Sequence, residues 1–382
     1  MEILTLFSNF TNITPQMILM WTIGGLLIYL AIARKMEPSL LLPMGFGAIL
    51  VNLPLSGAIT QGDIEGALSV LFQAGMSNEL FDAGIANELF PLLLFVGIGA
   101  MIDFGPLLEK PWLLFFGAAA QAGIFLTLVL AGFFFDLKDA ASIAIIGAAD
   151  GPTAIFVANT LGSKYLGAIM VAAYSYMALV PIVQPPVIRL VTTKKERLIR
   201  MPYQKGNVSR LTRILFPILV TVIAGLVAPT SASLVGFLMF GNLLRECGVL
   251  NALSETAQTT LANLITIVLG LTVASQMTAE QFVQPDTLLI LALGLVAFVG
   301  DTVGGVLFAK LINLFLPEGK KINPMIGAAG ISAFPMSGRV VNQMGLKEDN
   351  QNFLLMYSVS VNVSGQIASV IAGGLILTLM GV

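Results

Sequence analysis

Apolar runs of near-bilayer length recur along the whole chain, and nothing else limits its folding as much. They fall at about 15–33, 39–55, 89–103, 111–134, 141–162, 166–190, 212–228, 230–244, 258–276, 287–314, 325–345 and 351–380. About 20 apolar residues in a helix cross the hydrocarbon layer. Lipid offers the backbone no hydrogen bonds, so only helices and closed barrels span it. No series of short alternating strands marks a barrel here. The chain is 57% hydrophobic and only 10% charged, where a soluble domain has about a quarter of its residues charged. The expected fold is an all-α polytopic membrane protein, with membrane lipid as its surroundings.

Charge and composition narrow the chemistry. The net charge of −2 carries no global signal for nucleic acid, and the single cysteine, Cys247, excludes an internal disulfide. There is no histidine. Proton chemistry must therefore use carboxylates, Tyr, Lys or water, because the side chain that ordinarily titrates near neutrality is missing. The opening stretch MEILTLFSNFTNITPQM lacks a basic region and is expected to be a mature end and not a signal peptide.

Two of the apolar runs are interrupted. In IIGAADGPTAIFVANTLG, Asp150 is followed directly by Gly151-Pro152. Proline lacks the N–H that a helix needs and disfavours helical geometry in the residue before it, so a helix entering here breaks. The other interrupted run, MIGAAGISAFPMSGRVVNQMG, covers 325–345. Loop charges decide how these two runs lie. Arg34–Lys35, the loop 191–213 with seven bases against Glu196, Arg245 and Lys320–Lys321 should face the cytoplasm, while 56–90 and the Glu280–Asp286 loop hold acids without bases. If 141–162 crossed the membrane, the basic loop 191–213 would land outside. If it is a re-entrant hairpin entering from outside, that loop lands inside. The same parity makes 325–345 a hairpin entering from the cytoplasm, giving about ten transmembrane helices plus two re-entrant broken hairpins.

The two hairpins also resemble each other. Gly147-Ala148-Ala149 corresponds to Gly327-Ala328-Ala329, and Gln121 to Asp301, at an offset of 180 residues. Asn159 corresponds to Asn342 and Tyr174-Ser175 to Tyr357-Ser358 at an offset of 183. The halves run in opposite senses, as in transporters built from inverted repeats with broken helices at the midplane. The expected organisation is N-terminal helices over 1–56 and an external loop over 57–88. Repeat 1 follows over 89–190 with hairpin 141–162, then a basic cytoplasmic loop and linking helices over 191–257. Repeat 2 covers 258–382 with hairpin 325–345.

Asp150 stands out as a carboxylate beside broken backbone at membrane depth, where a charge is costly unless it serves an ion or substrate. The plainer reading is a helix cap. A carboxylate with backbone carbonyls and hydroxyl or amide oxygens suits a hard cation such as Na+. Thr153 and Asn159 could be ligands or helix–helix glue. Asp301, mid-span in a Gly-rich run, is either a site acid or a buried acid paired to a neighbour. Arg339 is either an anion partner or an interfacial, snorkelling residue. Asn323, Ser332, Ser337, Asn342, Asn362 and Ser364 supply further oxygens on the second repeat. These features fit a secondary transporter, a Na+/H+ antiporter or Na+/carboxylate symporter, as well as an ion-pumping enzyme.

The motifs GAADGPTAIFVANTLG, YSYMALVPIVQPPVIR and NPMIGAAGISAFPMSGRVVNQMG resemble the β subunit of sodium-pumping biotin-dependent decarboxylases, a family of oxaloacetate, methylmalonyl-CoA, glutaconyl-CoA and malonate decarboxylases, over essentially the whole chain. The resemblance implies an enzyme subunit of a bacterial or archaeal cytoplasmic membrane. Such a subunit decarboxylates carboxybiotin, consumes a proton and drives Na+ outward. It implies Na+ and carboxybiotin as ligands, a biotin-carrier and carboxyltransferase α-type subunit and a small single-span γ subunit as partners, a homotrimer of the β chain and an elevator-transporter-like fold. The family's essential aspartate falls on Asp150, its functional tyrosine on Tyr176, and its second region on Asn323, Gly327, Ser332 and Arg339. On this resemblance Asp150, Tyr176 and Arg339 are expected to be catalytic, and Asp150, Asn323, Gly327 and Ser332 to bind Na+. Thr153, Asn159, Asp301, Asn342 and Asn362 are additional candidates.

Overall fold

A computed structural model of the chain describes residues 11–54, 58, 89–203 and 206–381. The external loop expected over 57–88 therefore lies, apart from residue 58, outside the described residues. Among the described residues all regular structure is helical, and seven helices are long and apolar enough to cross a membrane.

The main helices are α1 (Pro15–Ala33), α2 (Pro38–Val51), α3 (Leu89–Met101), α4 (Leu114–Ala120), α5 (Ala122–Ala131), α6 (Leu137–Ala144), α7 (Gly151–Thr160), α8 (Leu166–Val191), α9 (Arg210–Val227), α10 (Ala232–Glu246), α11 (Ala262–Ser275), α12 (Pro285–Phe315), α13 (Met336–Glu348) and α14 (Leu355–Leu379). α4 and α5 form one span interrupted at Gln121. α6 runs through a 3-10 turn, Ile145–Ala148, to the break before α7. A second 3-10 stretch, Pro324–Gly330, precedes α13. Both interrupted runs thus break where proline and glycine predict it.

α12 is 31 residues long, about 46 Å at 1.5 Å per residue. It packs on α5, α8 and both 3-10 stretches. α14 is the most enclosed long helix, with 78% of its apolar window buried, whereas α9 has 11% buried and turns its apolar surface outward. Small residues allow this closeness, since helices in lipid associate through van der Waals packing of backbones and not through water exclusion. A Cβ added to Gly99 of α3 would sit 1.8 Å from the carbonyl of Leu238, and one added to Gly241 of α10 would sit 2.0 Å from that of Val96. The same holds for Gly305 of α12 and Gly327 of the second break, where each added Cβ would meet the other's carbonyl oxygen at 2.0 Å.

The charged groups collect at two ends. At one, Arg197 pairs with Glu348 at 2.9 Å, Lys310 with Glu196 at 3.1 Å and Arg200 with Asp349 at 2.5 Å. Tyr203 donates to Glu109, and Lys110 donates to Tyr357, at the same end. The basic loop is therefore fastened to the base of the second broken segment. At the other end, Lys164 lies 3.4 Å from Asp139, Ser163 donates to Asp139 at 2.7 Å, and Tyr165 donates to Asp286 at 2.8 Å. Asp286 and Lys310 are on the first turn and near the last turn of α12, so the basic and the acidic ends lie about 36 Å apart along it.

The Gly305–Gly327 contact leaves no room for a methyl group. Gly305→Ala and Gly327→Ala should each destabilise the protein by about 1–3 kcal/mol through overpacking, read as a lower thermal unfolding midpoint of the detergent-purified protein. An unchanged midpoint for Gly305→Ala would count against the contact.

Candidate functional site

The two breaks meet. The backbone N–H of Ser332 donates to the carbonyl of Ala148 at 2.8 Å, joining them directly. On the first break, Ala149 takes a left-handed conformation, φ 51°, which is unfavourable for a residue with a Cβ. That turn swings Asp150 into an extended conformation at the N-cap of α7. Its Oδ1 accepts from the Thr153 backbone N–H at 3.3 Å, so Asp150 is a helix cap as the plainer reading holds, with the positive end of α7 behind it.

It is also more than a cap. The other carboxylate oxygen, Oδ2, accepts three hydroxyls: Thr153 at 2.8 Å, Ser332 at 2.9 Å and Ser369 at 2.8 Å. These come from α7, the second break and α14. Asp150 is 4% exposed, and no cation pairs with it among the described residues. Three more buried polar atoms on the surrounding elements have no hydrogen-bond partner: Tyr174 Oη, Gln366 Oε1 and Asn362 Oδ1. Tyr174 lays its ring over Gly151, where an added Cβ would meet Cζ at 2.4 Å. Asn362 donates its amide to the Ile331 carbonyl at 2.7 Å, which leaves its oxygen free. A carboxylate, hydroxyl oxygens with spare lone pairs and the unspent Gln366 amide oxygen form an all-oxygen donor set, the kind a hard cation takes.

The expected residues divide by place. Asp150, Thr153 and Ser332 are brought together. Asn323 is at the base of the second break: its amide donates to the carbonyls of Arg197 and Ile199, both at 2.9 Å, and its Oδ1 accepts from Met325 N at 3.1 Å. Gly327 is pressed on Gly305. Tyr176 donates to the Leu291 carbonyl and stacks on Phe298 with ring centroids 6.3 Å apart, and none of its hydrogen bonds goes to Asp150. Arg339 is exposed on the first turn of α13. Asn342 caps the chain entering α14, accepting from Leu354 N at 3.0 Å. Asn159 is half-buried near the end of α7.

Ser369 and Gln366 escape sequence reasoning as site residues. The signal was present on α14, where Ser358, Asn362, Gln366 and Ser369 recur at helical spacing in an otherwise apolar run. Gln184 of α8 is also part of the frame, holding the Ala328 carbonyl at 2.6 Å and Ser337 Oγ at 3.0 Å.

Gln121 and Asp301 occupy related positions. Gln121, at the α4–α5 interruption, donates to Gly330 of the second break at 3.3 Å. Asp301, fully buried, accepts from the Ile124 N–H at 3.0 Å with Oδ1, and its unpartnered Oδ2 lies 2.8 Å from where a Cβ on Gly147 would be. Gln121 thus packs on the second break and Asp301 on the first. A cavity of about 220 Å³ opens on the carboxylate, lined at its inner end by Asp150, Tyr174, Ser332 and Gln366 and towards the surface by Glu37 and Asn263.

The chain matches the family described as Na+-transporting oxaloacetate decarboxylase beta subunit over residues 16–380. It is 45% identical to the oxaloacetate decarboxylase beta chain of Klebsiella pneumoniae over 409 aligned residues, covering 94% of each chain. It is 46% identical to the methylmalonyl-CoA decarboxylase subunit beta of Propionigenium modestum over 397 residues, covering 98% of this chain and 97% of that one. The corresponding subunit of Veillonella parvula is 46% identical over 376 residues, covering 98% and 95%.

The Ser369 hydroxyl bonds a buried carboxylate, whereas that of Ser360, on the same helix, bonds only the Met356 carbonyl at 2.7 Å. Ser369→Ala should cost about 1.5–3 kcal/mol in unfolding measurements on the purified protein, clearly more than Ser360→Ala. Equal costs would place no special weight on the Asp150 contact.

Proposed function

Because the chain belongs to the Na+-transporting oxaloacetate decarboxylase beta-subunit family, we propose that it is the membrane subunit of such a decarboxylase. It decarboxylates carboxybiotin presented by a partner subunit, consumes a proton and couples this to Na+ export. The observation that carries the proposal is the Asp150 carboxylate held at the junction of two broken helices by hydroxyls from three elements. No observation favours the plain antiporter or symporter reading.

Na+ is the cargo. Asp150 supplies its charge, and the hydroxyls of Thr153, Ser332 and Ser369 with the amide oxygens of Asn362 and Gln366 supply neutral oxygens. These hydroxyls now donate to the carboxylate; rotated, each presents a lone pair instead. The same carboxylate holds either Na+ or a proton, and that exclusion couples the two. The substrate carboxylate is received near Arg339, above a wall that includes Leu40, Leu94, Phe334 and Pro335. Loss of CO2 breaks the N–C bond, leaves the electron pair on the ureido group and requires a proton on its nitrogen. With no histidine in the chain, Asp150 or water between it and a tyrosine delivers it. Tyr174, unpartnered beside Asp150, is better placed for this than Tyr176. Asn323 and Gly327 support the second break without touching the ion.

The arrangement in the membrane follows the same reading: ten crossings, two re-entrant hairpins and an inverted repeat able to move in an elevator-like manner. The segregation of basic and acidic ends along α12 and the crossed contacts of Gln121 and Asp301 support it. The basic end faces the cytoplasm of a bacterium or archaeon, where a biotin-carrier and α-type subunit dock. A single-span γ subunit and two further β copies complete the assembly.

Asp150→Asn in the reconstituted complex should abolish Na+-dependent decarboxylation, with a loss of at least about 100-fold expected for removal of a charge at a preorganised site. Retention of Na+-stimulated CO2 release by this variant would refute the scheme.

A further inference from the structure

The cavity that reaches Asp150 has a second polar wall, which the mechanism above does not use. It is built on the helical segment Asn251–Ser275, which contains a π-helical turn at Ala257–Leu261 just ahead of α11. The N–H of Ala262 donates to the Ala257 carbonyl, five residues back. α3 presses on this turn: a Cβ added to Gly97 would meet the Ala257 carbonyl oxygen and the Ala262 Cβ, both at 2.9 Å. π turns inside α-helices are rare and occur frequently at functional sites.

The turn changes which side chains share a face. Gln258 and Asn263 are five residues apart, about 140° around a regular α-helix. Hydrogen bonds spanning five residues bring side chains at that spacing towards one side, and both residues line the cavity. Gln258, half-buried, donates its amide to Ser254 Oγ at 2.9 Å, and its carbonyl oxygen accepts nothing among the described residues. The Asn263 side chain, exposed on the cavity wall, has no hydrogen-bond partner among the described residues. The cavity also opens at the basic end. Glu37 at its outer edge follows Arg34–Lys35 in the chain, and Met101, another lining residue, lies just before Asp103, which pairs with Arg213 of the basic loop. The free amides therefore stand on the side from which a carrier-borne substrate arrives.

Resting on the functional reading above, we propose that Asn263 and Gln258 form the subsite that recognises the ureido ring of the carboxylated biotinyl group. One nitrogen of that ring carries the carboxylate. The carbonyl oxygen and the other N–H form its free edge, an acceptor beside a donor. A primary carboxamide presents the complementary pair, an N–H donor beside a carbonyl acceptor. Asn263 offers both, and Gln258 adds its unspent carbonyl oxygen for the ring N–H. Holding the free edge turns the carboxylated nitrogen away from the amides and towards the inner end of the cavity, where Asp150 and Tyr174 stand. Leu40 and Leu94 on the same cavity wall give the fused sulfur ring an apolar surface. Mostly apolar walls with a few placed polar groups are the usual form of a small-molecule site.

The test uses the purified, assembled decarboxylase complex, with the carboxylated carrier as substrate and biotin amide as competitor. Asn263→Leu and Gln258→Leu should each raise the KM for the carrier and the inhibition constant of biotin amide by the same factor, about three- to tenfold, as expected for the loss of one or two hydrogen bonds. The Na+ concentration giving half-maximal activity should stay unchanged. Desthiobiotin amide, which keeps the ureido ring and lacks the sulfur ring, should lose inhibition by that same factor. Asn263→Gln retains the carboxamide and should recover part of the loss. Asn263→Asp, close to asparagine in size but without the amide donor, repeats the test should leucine perturb assembly, with shifts at least as large. Unchanged KM and inhibition constants in both leucine variants would overturn the proposal. A loss confined to biotin amide would also overturn it, because the sulfur ring would then be the group recognised. A parallel shift in the Na+ dependence would overturn it too and make these residues supports of the Asp150 junction. Failure of the underlying reading looks different: the wild-type complex itself would release no CO2 from the carboxylated carrier when Na+ is added.

Discussion

The structure depends on one buried carboxylate being satisfied. Asp150 sits where α7 begins, and its Oδ2 draws hydroxyls from three separate elements to within 2.9 Å. A buried charge without such partners would cost several kcal/mol. The two broken segments cannot separate from each other, or from α14, without exposing that cost. The break itself follows from local chemistry, since Gly151-Pro152 cannot continue a helix and the left-handed Ala149 turns the chain so that Asp150 faces inward. A feature that looks like a defect in a membrane helix therefore organises the centre of the molecule.

Around that centre the structure is held mainly by backbone proximity. Glycines set α3 against α10 and α12 against the second break. Buried amides from Gln121, Gln184 and Asn362 cover the carbonyls that the second break leaves without helical partners. Such coverage is what permits irregular backbone in a membrane protein's interior. Apart from Asp150 and Asp301, the charged residues act at the ends, where they fasten the basic loop to the base of the second break and tie the acidic turns together.

Much of this was legible in the sequence. Apolar run length gave the helical class, and Gly-Pro and Gly-Ala patterns located both breaks. Gln121 and Asp301 stood out as polar residues inside apolar runs, and each packs on one of the breaks. The site was legible only in part. Asp150, Thr153 and Ser332 announce themselves as polar residues at a break. Ser369 and Gln366 sit on a long regular helix, where a serine or glutamine is more often packing, and only their spacing from Asn362 betrays a shared face. Tyr174 and Tyr176 are two residues apart on α8, so about 200° of helical rotation separates them. Spacing alone does not say which faces the carboxylate. Asn323 and Gly327 lie near Ser332 in the chain, yet the amide of Asn323 bonds the Arg197 and Ile199 carbonyls and Gly327 packs on Gly305, contacts that spacing alone does not reveal.

The contact between Gly305 and Gly327 also bears on how the interior can rearrange. With neither residue carrying a side chain, α12 and the second break meet backbone to backbone, and no rotamer change can absorb relative sliding. Asp301, on the same helix, is lodged against Gly147 and bonded to the start of α5. One 31-residue helix is thus keyed to both breaks, like a shaft carrying two fixed cams. The two breaks are therefore joined twice, directly through the Ser332–Ala148 hydrogen bond and indirectly through α12, so a rearrangement that parts them must disturb both connections.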